Sequence, residues 1–193
     1  MLNDRSSILS MLETRRSGRP RDLVAPGPTE DELQRILAAA MRTPDHGKLH
    51  PWRFVHVPRD RREAFAALLQ SAYRIDNPDP GRLEIEAHER FAHQAPELIV
   101  ALSSPTPDHK IPVWEQELSC GAACMNLCLA AHAMGYAAGW VTGWAAYSDA
   151  VLAAFGKPPE RIAGFIFLGT PGIELEERPR PEPGEVVSAW EGL

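Results

Sequence analysis

The sequence predicts a sheet protein of the α/β or α+β class, because apolar segments of strand length alternate with segments that have a helical period. The clearest strand is the uninterrupted apolar run 97–102, which suits a strand buried on both faces, and the run 162–169 predicts another central strand. The clearest helix follows Thr29, where apolar residues recur with the spacing of one helix face. The sequence has no internal repeat, and its 193 residues suit one domain.

The N-terminal segment predicts two helices and a strand. The first helix ends near 15–16, ahead of the Gly and Pro residues that break the pattern and begin an extended loop. Thr29 and Glu32 have the spacing of a capping box for the second helix, and Pro44 stops that helix. Residues 52–57 then have the composition of a strand.

Two helices separate this strand from the next one. The first presents an apolar face over 65–73 and ends at the NPDPG segment, 77–81. The second is a short polar helix around 82–92, which leads into the buried strand.

The C-terminal half predicts a long helix over 112–134 that Gly135 terminates. A strand at 136–141 and a short helix at 148–155 come next. The tail 178–190 is too proline-rich for regular structure, and it could wrap a partner subunit.

Composition and charge exclude several classes of function. The chain carries 20 Lys and Arg against 26 Asp and Glu, and its basic residues are dispersed apart from short pairs such as 15–16 and 61–62, which argues against a nucleic-acid surface. The first ten residues lack the apolar core of a secretory signal. Three cysteines are too few for a disulfide scaffold and fit a reducing compartment, so we expect a cytoplasmic protein.

The segment 118–148 contains no Asp, Glu, Lys or Arg and is long enough to cross a bilayer. Asn126 and His132 lie inside it, glycines interrupt it, and much of its apolar character comes from alanine. We therefore expect no membrane partner here, but a helix buried on all sides and then a strand.

The common catalytic and metal-binding motifs are missing from the sequence. It has no G-x-S-x-G elbow, no Walker loop and no G-x-G-x-x-G. His88 and His93 are five residues apart, on different faces of a helix, and are expected to be solvated. His46 and His50 have helical metal-ligand spacing, but Gly47 and the flanking prolines argue against a helix there. The three cysteines, each four residues from the next, are interpreted as core residues, so no metal is expected.

Three separated stretches carry the chemistry of the sequence. They are RRSGR at 15–19, RTPDHGKLHPWRF at 42–54 and GYAAGWVTGW at 135–144. A flavin mononucleotide would use each of them. Its phosphate needs guanidinium and hydroxyl donors, which Arg15, Arg16 and Ser17 could supply.

The other two stretches suit the flavin ring. The reduced ring develops negative charge, so a nearby cationic group such as Arg42, His46 or Lys48 would raise its electron affinity. The glycine-rich stretch at 135–144 would let backbone amides approach the edge of the ring closely.

With these residues in place, the sequence resembles the nitroreductase family, in particular its short bacterial members. The resemblance runs nearly from end to end. Its motifs are RRSGR after the first helix, AAAMRTPDHGKLHPWRFVHV after the second, KIPVWEQELSCGAACMN at the start of the central helix, GYAAGWVTG, and FIFLGTP ahead of the proline-rich tail.

The resemblance implies an α+β fold with a central, mainly antiparallel sheet flanked by helices. It implies that residues 1–193 form one FMN-binding domain, with 174–193 as a proline-rich C-terminal arm, and that two chains intertwine as a homodimer. The implied activity is reduction of nitroaromatic, quinone or similar small-molecule acceptors, in which FMN takes hydride from NADH or NADPH by a ping-pong mechanism. In such a flavoenzyme the cofactor performs the chemistry, and no catalytic side chain is expected.

The resemblance also implies which residues bind FMN at the subunit interface. Arg15, Arg16 and Ser17 would hold it from one chain, while Arg42 and His46 would reach it from the other. Further contacts are implied for Trp140, Val141 and Thr142, and the segment from Ala130 to Gly135 corresponds to a nicotinamide-nucleotide region. Small residues at a helix end packed in the core would show the same pattern as that last segment without binding anything.

The chain departs from the family pattern at Val141, where an arginine often follows the tryptophan. The electrostatics of the phosphate or ring would then depend more on Arg15, Arg16 and Lys48. Lys48 and His50 could equally face the site or the solvent.

Three further assignments are structural. Trp114 and Glu115 are expected to pack and cap the central helix, and Trp52 to anchor the loop 42–54 to the core. Two other functions stay open at this point. One is a non-catalytic flavin-binding or storage module, and the other is a family variant that acts as a dehalogenase, an enone reductase, a dehydrogenase or a flavin-degrading enzyme.

Overall fold

The computed structural model describes residues 2–192. Its helices are α1 (Ile8–Thr14), α2 (Glu30–Ala40), α3 (Arg62–Asp76), α4 (Arg82–Ala92), α5 (Val113–Ala133), α6 (Trp144–Tyr147), α7 (Asp149–Leu152) and α8 (Pro183–Val186). Its strands are β1 (Leu23–Val24), β2 (Trp52–His56), β3 (Glu97–Ser103), β4 (Ala137–Val141) and β5 (Arg161–Pro171).

The five strands form one sheet in which every neighbouring pair is antiparallel. Strand β3 lies between β2 and β5, and the other edge of β5 pairs first with β4 and then with β1. Helices cover both faces of the sheet, so the expected α+β class with a mainly antiparallel sheet is confirmed.

The alternation of side chains along β5 divides the core into two layers. Phe165 and Phe167 point to the face covered by α3 and α4, whereas Ile166 and Leu168 point to the face covered by α2 and α5. All four side chains are fully buried. The three cysteines of α5 lie free and buried in the second layer, which confirms their interpretation as core residues.

Local signals define the ends of two helices as expected. The Thr29 side chain accepts a hydrogen bond from the Glu32 N–H, and the Glu32 side chain accepts one from the Thr29 N–H, so the capping box of α2 is present. After α5, Gly135 takes a φ of 96°, a left-handed conformation that glycine adopts readily at a helix end.

Two helices leave apolar side chains exposed on the single chain. In α1 no residue is buried, and Ile8, Leu9 and Leu12 face outward. The expectation that α5 is buried on all sides is wrong, because Trp114 and Leu118 are 67% and 54% exposed. Trp114 therefore does not pack against its own chain as expected. Helix α5 therefore has one face without a packing partner among residues 2–192.

Three other expectations need correction. The tail is not free of regular structure, because α8 forms where Pro183 begins a single helical turn. The helix expected at 148–155 is shorter, since α7 covers only Asp149–Leu152, where Ser148 caps its first turn through the hydroxyl. His88 is only partly solvated, since it packs against the rings of Tyr73 and Trp144, and burial lowers its pKa.

None of the helices within residues 2–192 is both long and apolar enough to span a membrane.

Candidate functional site

The segment Arg15–Gly18 lies along the outer edge of β4. The Gly18 N–H donates a hydrogen bond to the Ala138 carbonyl at 3.1 Å. This approach requires glycine at position 139, because a Cβ there would lie 2.6 Å from the Gly18 oxygen. The glycines of the first and third motifs therefore bring those two motifs together.

The guanidinium groups of this segment have no carboxylate partner. Within residues 2–192, neither Arg15 nor Arg16 lies at ion-pair distance from an acidic side chain. Arg15 Nη1 donates to the Ser17 hydroxyl at 3.1 Å, and Arg16 Nε donates to the Glu176 carbonyl at 2.7 Å. Both cations thus keep donors available for an anion.

The C-terminal arm crosses this segment. Arg180 donates to the Arg15 carbonyl at 3.3 Å and pairs with Glu177 at 3.0 Å. A backbone hydrogen bond from Arg178 lowers the pKa of Glu177, and the charge of Arg16 contributes to the same effect. The arm therefore places one positive group, Arg180, and one negative group, Glu177, beside the two arginines.

The second group of expected site residues follows on the same strand. Trp140 Nε1 donates to the Ala163 carbonyl at 3.1 Å, and its ring lies over Gly164, where a Cβ would overlap the indole. Val141 packs partly into the core, while Thr142 is exposed. Thr142 follows the C-terminal end of β4, whereas the arginine segment meets the strand at Ala138, near its start.

Within one chain, the residues expected from the second motif lie elsewhere. His46 Nδ1 is 2.8 Å from Glu115 Oε2, at the N-terminal end of α5. Arg15 lies near the other end of that helix, beside His132. Burial lowers the pKa of His132 to about 4, and the nearby positive charge of Arg15 contributes to the same effect. The 17 residue-to-residue steps from 115 to 132 span about 25 Å of helix. The two groups are therefore not adjacent in a single chain.

The loop that carries Arg42, His46 and Lys48 is held in a defined shape. The Asp45 carboxylate accepts hydrogen bonds from the backbone N–H groups of Leu49 and His50, at 3.0 and 2.9 Å. All three side chains are exposed. Sequence reasoning assigned no role to Asp45, although an Asp followed by a glycine-containing turn is a known signal for such bonds.

Side chains of α5 hold the same loop in place. Asn126 Nδ2 donates to the Thr43 hydroxyl at 2.8 Å, and the Ser119 hydroxyl donates to the Pro44 carbonyl. Trp52 is buried after the loop, as expected. Glu115 does not cap α5, since its carboxylate pairs with His46.

The segment from Ala130 to Gly135 borders a cavity of about 400 Å³ between the N-terminal residues and the C-terminal arm. His132 is buried at its wall. Its Nδ1 donates to the Tyr136 carbonyl at 3.2 Å, and its Nε2 has no hydrogen-bond partner within residues 2–192. Gly135 is exposed beside the Arg5 guanidinium. The Arg5 guanidinium and the buried His132 side chain thus lie at the wall of the same cavity.

Comparison with known proteins identifies the class to which this fold and site belong. The sequence model of the Nitroreductase family matches residues 12–170. The chain therefore belongs to the Nitroreductase family.

Two curated relatives are similar over most of their length. The chain is 36% identical to the putative NAD(P)H nitroreductase YdjA of Escherichia coli K12 over 179 residues, which cover 91% of this chain and 96% of that protein. It is 38% identical to a putative NAD(P)H nitroreductase of Haemophilus influenzae over 172 residues, 88% of this chain and 91% of that protein.

Solved structures share the fold at lower identity. A nitroreductase-like family protein of Bacillus cereus superposes with a TM-score of 0.80 at 22% identity, over 97% of each chain. A nitroreductase of Bacteroides fragilis with bound FMN superposes with a TM-score of 0.69 at 21% identity, over 96% of this chain and all of that one.

Proposed function

We propose that this chain is an FMN-dependent NAD(P)H oxidoreductase that reduces nitroaromatic, quinone or similar small-molecule acceptors by a ping-pong hydride mechanism. The observation that carries the proposal is the position of Arg15, Arg16 and Ser17 beside the start of β4, with guanidinium donors that no carboxylate within residues 2–192 occupies. The names of the curated relatives and of the FMN-bound neighbour support it.

The residues present fit a flat group that carries a phosphate. Arg15, Arg16 and the Ser17 hydroxyl would hold the phosphate, since guanidinium groups bind phosphate through paired hydrogen bonds. Beyond Thr142, Gly143 has a φ of 107° and no atom within 4 Å of the place where a Cβ would stand. Its open backbone would admit the edge of a ring.

We also propose that the site is completed by a second copy of the chain. The distance of about 25 Å along α5 separates His46 from the arginine segment, so Arg42 and His46 would contact the flavin of the partner. The apolar residues that α1 and α5 expose would be covered in such a homodimer. Lys48 lies on the same loop as His46 and would add positive charge beside the ring.

FMN, when bound, would accept a hydride from NADH or NADPH and pass reducing equivalents to the acceptor. The chain itself would bind and orient these groups. The exposed cations Arg42 and Lys48 would favour negative charge on the ring. We place the nicotinamide nucleotide at the cavity beside Ala130 to Gly135, where Arg5 would meet a phosphate.

The absorbance spectrum of the purified protein tests the proposal. We expect a yellow protein whose flavin bands bleach when NADH or NADPH is added. A colourless protein that does not take up added FMN would overturn the assignment. Stopped-flow mixing separates the alternative: bound FMN that neither nucleotide reduces at saturation would indicate a flavin-binding or storage module.

Light scattering tests the shared site. We expect twice the chain mass of 21.3 kDa in the FMN-bound protein. A stable monomer that retains FMN would contradict a site built from two chains.

A further inference from the structure

The loop between α2 and β2 has three residues in the left-handed backbone region. Gly47, Lys48 and His50 have φ values of 78°, 57° and 49°. Glycine adopts such values readily, whereas a lysine or a histidine at a positive φ costs free energy. His50 also precedes Pro51, and the residue before a proline favours an extended backbone. The loop is therefore a strained segment that other groups must hold in place.

Packing of the strained side chains does not compensate this cost within residues 2–192. The side chains of Lys48 and His50 are both exposed. Strained backbone persists only where the surrounding structure fixes it, and it concentrates at binding and active sites. We therefore looked for the groups that fix the loop and for what the loop presents.

The Asp45 carboxylate fixes the backbone of the loop. Its Oδ1 accepts a hydrogen bond from the Leu49 N–H at 3.0 Å, and its Oδ2 accepts one from the His50 N–H at 2.9 Å. Only 13% of the Asp45 side chain is exposed. Hydrogen bonds to an ionised carboxylate are stronger than those between neutral groups. Asp45 therefore holds the two residues that follow Lys48.

Residues at the start of α5 fix the same loop from a second side. His46 Nδ1 is 2.8 Å from Glu115 Oε2, and a carboxylate at this distance accepts a hydrogen bond from the imidazole. Ile111 lies against Gly47, because a Cβ at position 47 would overlap its side chain. The backbone of the loop and the ring of His46 are thus fixed by two different carboxylates, those of Asp45 and Glu115.

We propose that Asp45 is a positioning residue, whose carboxylate holds the loop 45–50 so that His46 and Lys48 reach the flavin of the other chain in one fixed arrangement. The inference rests on the proposed function, in which these two side chains lie beside the ring. Asp45 acts through the loop backbone and not through its charge. A negative charge near the ring opposes reduction, whereas well-placed cations favour it, so geometry and charge predict opposite results when Asp45 is removed.

The reduction potential of bound FMN separates these two effects. In Asp45→Ala the preference for reduced over oxidised FMN should fall about tenfold, which lowers the potential of a two-electron couple by about 30 mV. Loss of the negative charge alone would raise the potential. Asp31→Ala removes an exposed acid on α2 outside the loop and is the matched control, so it should keep the potential of the parent. Anaerobic titration against a reference dye gives the values.

A second variant provides the measurement if Asp45→Ala does not fold or does not retain FMN. Asp45→Asn removes the charge but keeps one oxygen that can accept the Leu49 N–H. Its potential should lie between those of the parent and the alanine variant, about threefold below the parent in preference for reduced FMN. An effect of charge alone would raise the potential equally in both variants.

Hydrogen exchange tests the loop itself in protein without flavin. The amides of Leu49 and His50 should exchange at least about tenfold faster in Asp45→Ala than in the parent, because their acceptor is lost. The buried amides of β3 should keep their rates. General destabilisation of the fold would instead raise the rates of both groups.

The outcomes distinguish this inference from the proposed function. A parent protein that binds no FMN would overturn the proposed function, while faster exchange at Leu49 and His50 would still assign Asp45 to the loop. With FMN bound to the parent, an unchanged or raised potential in the Asp45 variants would overturn the inference and leave the proposed function intact. Unchanged exchange at the two amides, or a fall in mass by light scattering, would also overturn it.

Discussion

Two arginine-centred regions of this molecule differ in what their guanidinium groups contact. Arg62 at the start of α3 is 2% exposed, and it donates to the carbonyls of Val57, Ala92, Gln94 and Pro96 at 2.8 to 3.4 Å. Arg16, in contrast, is half-buried at the surface. Its Nε donates a hydrogen bond to one backbone carbonyl of the C-terminal arm, that of Glu176.

The difference shows that burial determines whether an arginine side chain stabilises the fold or stays available to a ligand. Burial lowers the pKa of Arg62 to about 10, a cost offset by the carbonyls that surround it. Three of those carbonyls lie between the end of α4 and the start of β3, and the fourth, that of Val57, follows β2, so Arg62 connects the two segments. Arg16 remains open to an external anion. The comparison predicts that removing Arg62 damages the fold, whereas removing Arg16 damages binding.

The largest effect is expected for Arg62→Met, which keeps most of the apolar stem and removes the donors. Four buried carbonyls would lose a partner, so the free energy of unfolding should fall by about 3–5 kcal/mol. Urea denaturation followed by circular dichroism measures it. The matched control is Arg61→Met, an exposed neighbour that should cost less than about 0.5 kcal/mol. Equal losses in the two variants would remove the distinction between the regions.

The second prediction concerns Arg16→Ala. If Arg16 holds the phosphate as proposed, loss of one charged hydrogen-bonding group should weaken FMN binding by about 1.5–3 kcal/mol, roughly 10- to 100-fold. The free energy of unfolding without flavin should change by less than about 1 kcal/mol. Flavin fluorescence titration and urea denaturation give the two values. Arg21→Ala is the control on an exposed arginine nearby, and unchanged FMN retention in Arg16→Ala would argue against the phosphate assignment.

The smallest effect is expected for the ion pair between Arg53 and Glu160. Arg53 is partly exposed, and hydrogen bonds from it lower the pKa of Glu160 from 4.5 to about 2. Because this pKa is lowered on folding, the stabilisation is present above pH 4.5 and is lost as the pH falls toward 2. After allowance for solvent screening, Glu160→Gln should lower the free energy of unfolding at pH 7 by about 1 kcal/mol.

The pH series provides the check on this pair. The difference between the parent and Glu160→Gln should narrow between about pH 4.5 and pH 3, as measured by denaturation at each pH. Glu89→Gln, an exposed change on α4, should show no such trend. A constant difference across the series would contradict the ionic origin of the effect.

Periodic and capping signals predicted most of the fold because they are local. The apolar run of β3, the capping box at Thr29 and the glycine after α5 each depend on residues a few positions apart. The two-residue strand β1 has no such signal, since its extended shape comes from pairing with the end of β5. The single turn α8 was missed for a similar reason, because one helical turn carries too few residues for a period.

The candidate site was likewise predicted only in part from the sequence. The motifs at 15–19 and 135–144 were predicted to act together, and glycines at 18 and 139 let them meet. Arg62 gave no sign of its buried role, because in the sequence it is one of two adjacent arginines that usually lie at the surface. Glu115 was expected to cap a helix and instead pairs with His46, 69 residues away.

The sequence by itself determined the family, the class of fold, and the residue types that a phosphate and a flat ring would need, because these follow from short motifs and apolar spacing. Only the tertiary structure decided which arginine is buried and which stays open, and that His46 lies about 25 Å along α5 from the arginine segment. It also showed that α1 and α5 expose apolar faces. Burial and distance depend on contacts between residues far apart in the chain, which no local pattern contains.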